Sequence, residues 1–82
     1  MPVTSAQLRM ARAALNWTVR DLAEATGLHR NTINNIEVGR YTGDAKSLEL
    51  IERVLRRAGI EFIDENGGGP GVRMRRQHKK TK

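Results

Sequence analysis

The residues best equipped for recognition chemistry are an arginine and three asparagines, Arg30, Asn31, Asn34 and Asn35, in the stretch HRNTINNIEVG. A guanidinium offers paired donors that fit O6 and N7 of guanine. A carboxamide pairs a donor with an acceptor and fits N6 and N7 of adenine. Taken as a helix at about 100° per residue, the four fall within one arc of roughly 140°, facing away from Ile33 and Ile36. Three asparagines so close together are poor helix formers, so something other than helix propensity selects them. A polar arc on a helix is ordinarily only a solvated face. Its meaning depends on what holds it.

Other constellations are weak. The chain has no cysteine, hence neither a disulfide framework nor a thiolate metal site. Its two histidines, His29 and His78, are far apart and have no carboxylate set around them, which argues against a metal. Ser5 and Ser47 have no base at a recognisable spacing, so nucleophilic catalysis has no support. The GGGPG stretch opens no helix and reads as a flexible turn rather than a phosphate cradle. Asn16-Trp17-Thr18 matches a glycosylation sequon, but at a helix start it reads as chance. These readings predict a protein that is not an enzyme and has no cofactor and no metal.

Charge is more telling. The 82 residues hold 15 Lys and Arg against 9 Asp and Glu, a net of +6. All of that excess lies in residues 73–82, where Arg73, Arg75, Arg76, Lys79, Lys80 and Lys82 meet no acid, so residues 1–72 are formally neutral. A basic tail on a neutral body suits a polyanion such as nucleic acid. There is no apolar run of bilayer length and no signal-like start, so the expectation is a cytoplasmic, nucleoid-associated protein without a membrane partner. At this length a single domain is the default.

Four helices and a hairpin must position the polar arc. Leu8, Ala11 and Leu15 give a first helix over 5–15, with Thr4 or Ser5 as cap. Asn16 and Trp17 break it. Thr18 with Asp21 three residues on is a near capping box for a second, short helix, which Gly27 ends; Trp17 and Leu22 are spaced as a hydrophobic staple. The third helix runs from His29 or Arg30 to Val38 and stops at Gly39. A fourth covers about 45–58, capped by Asp44 and ended near Gly59. Ile60–Ile63 and Val72–Arg75 read as two strands around a glycine-rich turn, and residues 76–82 as a disordered basic tail.

A short helix, a glycine turn and a second short helix with a polar outer face is a helix-turn-helix layout. DLAEATGLHRNTINNIEVG, with Thr18, Leu22, Ala23, Gly27, Thr32, Ile33, Ile36, Glu37 and Gly39, resembles the lambda-repressor/Cro-like (Xre-type) helix-turn-helix transcriptional regulators. LRMARAALNWT is similar to the first helix of that family, and GIEFIDENGGGPGVRMR to the tails of a subgroup of small bacterial regulators. The resemblance spans roughly residues 5–58. It implies a mainly α fold: a small four-helix DNA-binding domain over 1–59, then a C-terminal β-hairpin over 60–75 and a tail over 76–82.

The same resemblance assigns roles. Arg30, Asn31 and Asn35 are favoured at bases; Asn34 can reach a base edge but, with Thr32, stands nearer the backbone or sugar. Thr18 and Arg20 at the start of the second helix, His29 at the turn, and Arg40, Tyr41 and Lys46 beyond the third helix are backbone candidates. Val19 departs from the family, many of whose members grip a phosphate with Gln there. Arg12 and Glu37 match a structural ion pair. The implied function is sequence-specific DNA binding, as a repressor and homodimer on a pseudo-palindromic operator, with the hairpin either pairing two copies or packing on its own helices. The alternative is the antitoxin of a toxin–antitoxin pair, whose hairpin and tail would hold a toxin.

Overall fold

The computed structural model describes residues 3–40 and 44–75. Its elements follow in the order α1 (Ser5–Leu15), α2 (Val19–Thr26), α3 (Arg30–Glu37), α4 (Ala45–Arg57), β1 (Ile60–Ile63) and β2 (Gly71–Met74). Each helix start has a local cause. Thr4 caps α1 in a full capping box with Gln7, and Thr18 caps α2 in another with Asp21; His29 caps α3 and Asp44 caps α4. The ends are equally specific. Asn16 takes a left-handed φ of 62°, and Trp17 N–H reaches back to the Arg12 carbonyl at 2.9 Å. Gly39, at φ 79°, closes α3 the same way: its own N–H donates to Ile36 and that of Arg40 to Asn35. That double closure needs a residue at ease with positive φ, which is why a glycine stands there.

One core serves all six elements. Leu8, Ala11, Leu22, Ala23, Ile33, Ile36, Ile51, Leu55 and Ile60 are buried together, and Leu15, Trp17, Leu28, Leu48, Val54, Phe62 and Val72 pack around them. Ile33 and Ile36 are the only large apolar residues on α3 itself, so the helix sits on the core by one stripe and turns the rest outward.

β1 and β2 pair antiparallel, with Ile60 opposite Met74, Phe62 opposite Val72 and Ile63 opposite Gly71. The second strand thus occupies Gly71–Met74 rather than the Val72–Arg75 expected. The Ile63–Gly71 pair closes against the loop, which draws Gly71 into the ladder and leaves Arg75 just past its end. Ile60 is fully buried in the helical core, so the hairpin packs on its own helices. The tail over 76–82 lies outside the described residues.

Candidate nucleic-acid interface

The polar arc is built by the α2–turn–α3 unit. In α2, Thr18 Oγ1 accepts from Asp21 N–H at 3.0 Å, and Asp21 Oδ2 accepts from Thr18 N–H at 2.9 Å. The box leaves the N–H groups of Val19 and Arg20 without a capping acceptor at the exposed start of the helix, where the dipole favours an anion. Gly27, at φ 79°, then lets the chain reverse. Thr26 Oγ1 ties the turn by donating to Leu22 O at 2.9 Å and accepting from Leu28 N–H at 3.2 Å.

His29 starts α3 with Nδ1 accepting from Asn31 N–H at 3.0 Å. Arg30, Asn31 and Asn34 are exposed, Asn35 and Thr32 half-buried. Asn35 Oδ1 accepts from Arg40 Nη1 at 3.2 Å, so its carboxamide is already half engaged by the next cation along the chain. Arg30, His29 and Arg20 line one open cleft with Glu24, Ala23, Gly27 and Leu28, at the junction of α2 and α3. Arg20 also lies 3.9 Å from Glu24, with both side chains about three-quarters exposed, a contact of little energetic weight. Lys46 is exposed in the first turn of α4, on a separate element from the arc. Tyr41 lies outside the described residues.

The orientation of α3 is set from behind. Glu37 is 3% exposed, and its carboxylate accepts from Arg12 in a two-pronged contact, Nε to Oε2 and Nη2 to Oε1, both at 2.9 Å. The hydrogen bond and charge of Glu37 raise the Arg12 pKa further above its ordinary value. Arg12 Nη1 continues to the Trp17 carbonyl at 3.0 Å, and Arg9 donates to the Glu37 carbonyl at the end of α3. One arginine therefore joins α1, the α1–α2 corner and α3. The two-pronged geometry suits a guanidinium and could not be reproduced by lysine.

Two further ties to α1 are missed by sequence reading: Arg9, which reaches the end of α3, and Gln7, whose Nε2 donates to Ile63 O and Gly71 O of the hairpin. Arg9 left no local signal, because its acceptor is a backbone carbonyl 28 residues away. Gln7 did leave one, since Thr4-x-x-Gln7 has capping-box spacing. Among the described residues no group of three His, Asp or Glu gathers as a metal would need, and no helix is long and apolar enough to cross a membrane.

Comparison with known proteins agrees with this geometry. The helix-turn-helix family model HTH_3 matches residues 8–62, from the middle of α1 into β1. Over 58 residues, 71% of this chain and 80% of the relative, the sequence is 40% identical to an uncharacterized HTH-type transcriptional regulator of Methanothermobacter thermautotrophicus.

Proposed function

The chain belongs to the HTH_3 (Xre/Cro-like) helix-turn-helix family of DNA-binding, non-enzymatic transcriptional regulators, and from that premise we propose that it is a sequence-specific repressor acting as a homodimer on a pseudo-palindromic operator. α3 enters the major groove, N-terminal residues first. Arg30 reads guanine, and Asn31, Asn34 and Asn35 read adenine or the adjoining edge. Thr18, Arg20, His29, Thr32, Arg40, Tyr41 and Lys46 hold phosphates and sugars, the free N–H groups of Val19 and Arg20 taking over the grip that a glutamine gives in relatives.

A single observation carries this reading. The face of α3 bearing Arg30, Asn31 and Asn34 is exposed, while its opposite face is buried through Ile33 and Ile36 and its end is fastened by Arg12. Such a helix presents polar side chains in a fixed geometry with little left to order on binding, which favours discrimination between bases. Repression by promoter occlusion is the simplest output, and control then falls to protein abundance or a protein partner.

Selection of bound sequences from a random duplex library at physiological salt tests the reading, run on the wild type and on Arg30→Ala. The expected result is an inverted repeat with half-sites about one helical turn apart, of which Arg30→Ala loses one position in each half. If no motif emerges and binding simply fades with salt, the protein coats DNA through charge, and the repressor reading fails.

A further inference from the structure

We propose that Arg40 positions the Asn35 carboxamide, and that this makes guanine rather than adenine the base that Asn35 reads. The inference rests on the operator reading above and narrows it at one position.

Arg40 lies against Asn35 because of how α3 ends. Gly39 N–H donates to Ile36 O at 3.1 Å and Arg40 N–H to Asn35 O at 3.0 Å, with Gly39 at φ 79°. A helix closed by this pair of bonds folds the residue after the glycine back over the last turn. There it meets the residue whose carbonyl it binds, and the contact is ordinarily apolar. Here it is polar: Arg40 Nη1 donates to Asn35 Oδ1 at 3.2 Å. The two residues are joined through backbone and side chain alike, by the motif that ends the helix.

That contact decides which way the carboxamide faces. A guanidinium has donors only, so the atom turned toward Arg40 is the oxygen, and the amide nitrogen points away from it. Asn31 and Asn34 differ. Both are exposed, and among the described residues neither carboxamide has a hydrogen-bond partner, Asn31 being engaged through its backbone N–H. Those two amides can turn to suit an adenine, whereas that of Asn35 is held.

Adenine needs both ends of a carboxamide, the oxygen to accept from N6 and the nitrogen to donate to N7. At Asn35 the oxygen already accepts from a cation. A second donor, N6, would have to reach its remaining lone pair beside that guanidinium. Guanine meets no such conflict. Its groove edge carries two acceptors, N7 and O6, which suit the outward amide N–H groups and the positive charge next to them. Thymine offers one acceptor beside a methyl group, a poorer match.

The test is selection from a random duplex library, run with the full chain on the wild type, Asn35→Ala, Arg40→Ala and Arg40→Lys. Asn35→Ala identifies the position, as the base pair in each half-site that becomes indifferent. The wild type is expected to favour G·C there by roughly five- to tenfold. Arg40→Ala, whose carboxamide can turn, should switch that preference to A·T. Arg40→Lys still gives Oδ1 a donor and should keep G·C with a smaller margin. Should Asn35→Ala fail to fold, the switch between the wild type and Arg40→Ala still decides, because Arg40 is exposed. The inference is overturned if the wild type favours A·T at the Asn35 position, or if Asn35→Ala folds and relaxes no position. It is overturned too if Arg40→Ala weakens all sequences alike with the preference unchanged, which makes Arg40 a phosphate contact alone. In those cases a motif has still emerged and the operator reading stands. If no motif emerges from the wild type, the operator reading falls and this inference with it.

Discussion

α3 and the hairpin are fastened to the same helix, α1, by opposite kinds of chemistry. Among the described residues two polar side chains are buried, Glu37 at 3% exposure and Gln7 at 2%, and each is one of these fastenings. Glu37 belongs to α3 and is held by the charged fork of Arg12. Gln7 belongs to α1; its Nε2 donates to Ile63 O at 3.0 Å and Gly71 O at 2.9 Å, while its Oε1 accepts from Thr4 N–H at 2.9 Å. A neutral amide whose groups are all satisfied costs little to bury. A carboxylate is tolerable only while its partner stays. The tie to α3 is thus rigid but at risk from one substitution, and the polar tie to the hairpin is milder, with the apolar contacts of Ile60, Phe62 and Val72 beside it.

The largest expected effect follows from breaking the charged side. Arg12→Ala strands the Glu37 carboxylate in the core and should lower stability by roughly 2–4 kcal/mol, a little under the range for fully buried pairs because the Arg12 side chain is 23% exposed. In a chain of this size that is a large share of the whole. Urea unfolding measures the loss. The double variant Arg12→Met with Glu37→Leu should recover most of it, since no charge is then left unpaired. If the double variant is no better than the single, packing by the Arg12 stem rather than its charge is what holds α3.

Next in size is a change that touches the face rather than the fastening. Arg30→Ala should leave the thermal midpoint within error, because Arg30 is exposed, and cost about 1–3 kcal/mol of discrimination at one base position. A competition assay with operator variants reads it. Equal losses on every sequence would make Arg30 a phosphate contact and move base reading to the asparagines.

Gln7→Ala comes third and should cost about 1–2 kcal/mol, as a satisfied neutral amide does when removed. The comparison predicts where the loss appears. Amide exchange should quicken in β1, β2 and the loop between them, while α3 keeps its protection and operator affinity holds. If α3 loosens as well, the two fastenings are one cooperative unit and the contrast between them is false.

What was legible in the sequence divides along similar lines. The helix boundaries could be read because their causes are local: Thr18 and Asp21 are three residues apart, and Gly27 and Gly39 stand where a turn needs positive φ. The core stripes could be read from spacing. The capping-box half of Gln7 is legible from its spacing to Thr4, but its tie to the hairpin is not, because those acceptors lie 56 and 64 residues further along the chain. The strand over Gly71–Met74 was displaced by one residue because alternation fixes a strand's faces better than its ends. The engagement of Asn35 by Arg40 is not legible for a related reason: helical spacing puts the carboxamide on the arc but carries no sign of the neighbour that accompanies it.

The smallest effect lies on the surface of the hairpin and tests whether acid reaches it by a separate route. Gln7 does not titrate, so the hairpin's own response to low pH should come through Glu61, whose carboxyl is held below its usual range chiefly by the hydrogen bond from Arg73. The sign follows from linkage. A carboxyl with a lowered pKa in the folded chain contributes stability that is fully present above the ordinary carboxylate range. That contribution drains away as pH falls through the folded value, because the unfolded chain takes up its proton first. The wild-type thermal midpoint should therefore fall between roughly pH 5 and pH 3, and Glu61→Gln should fall less steeply over the same interval. Asp44, lowered by the Ser47 amide at the start of α4, supplies the control: Asp44→Asn should flatten the curve to a similar small degree without altering amide exchange in the hairpin. Parallel slopes for the wild type and Glu61→Gln would mean that solvent screens the Arg73 pair completely, so that the two strands are held by their ladder and by the packing of Ile60, Phe62 and Val72 on the helices.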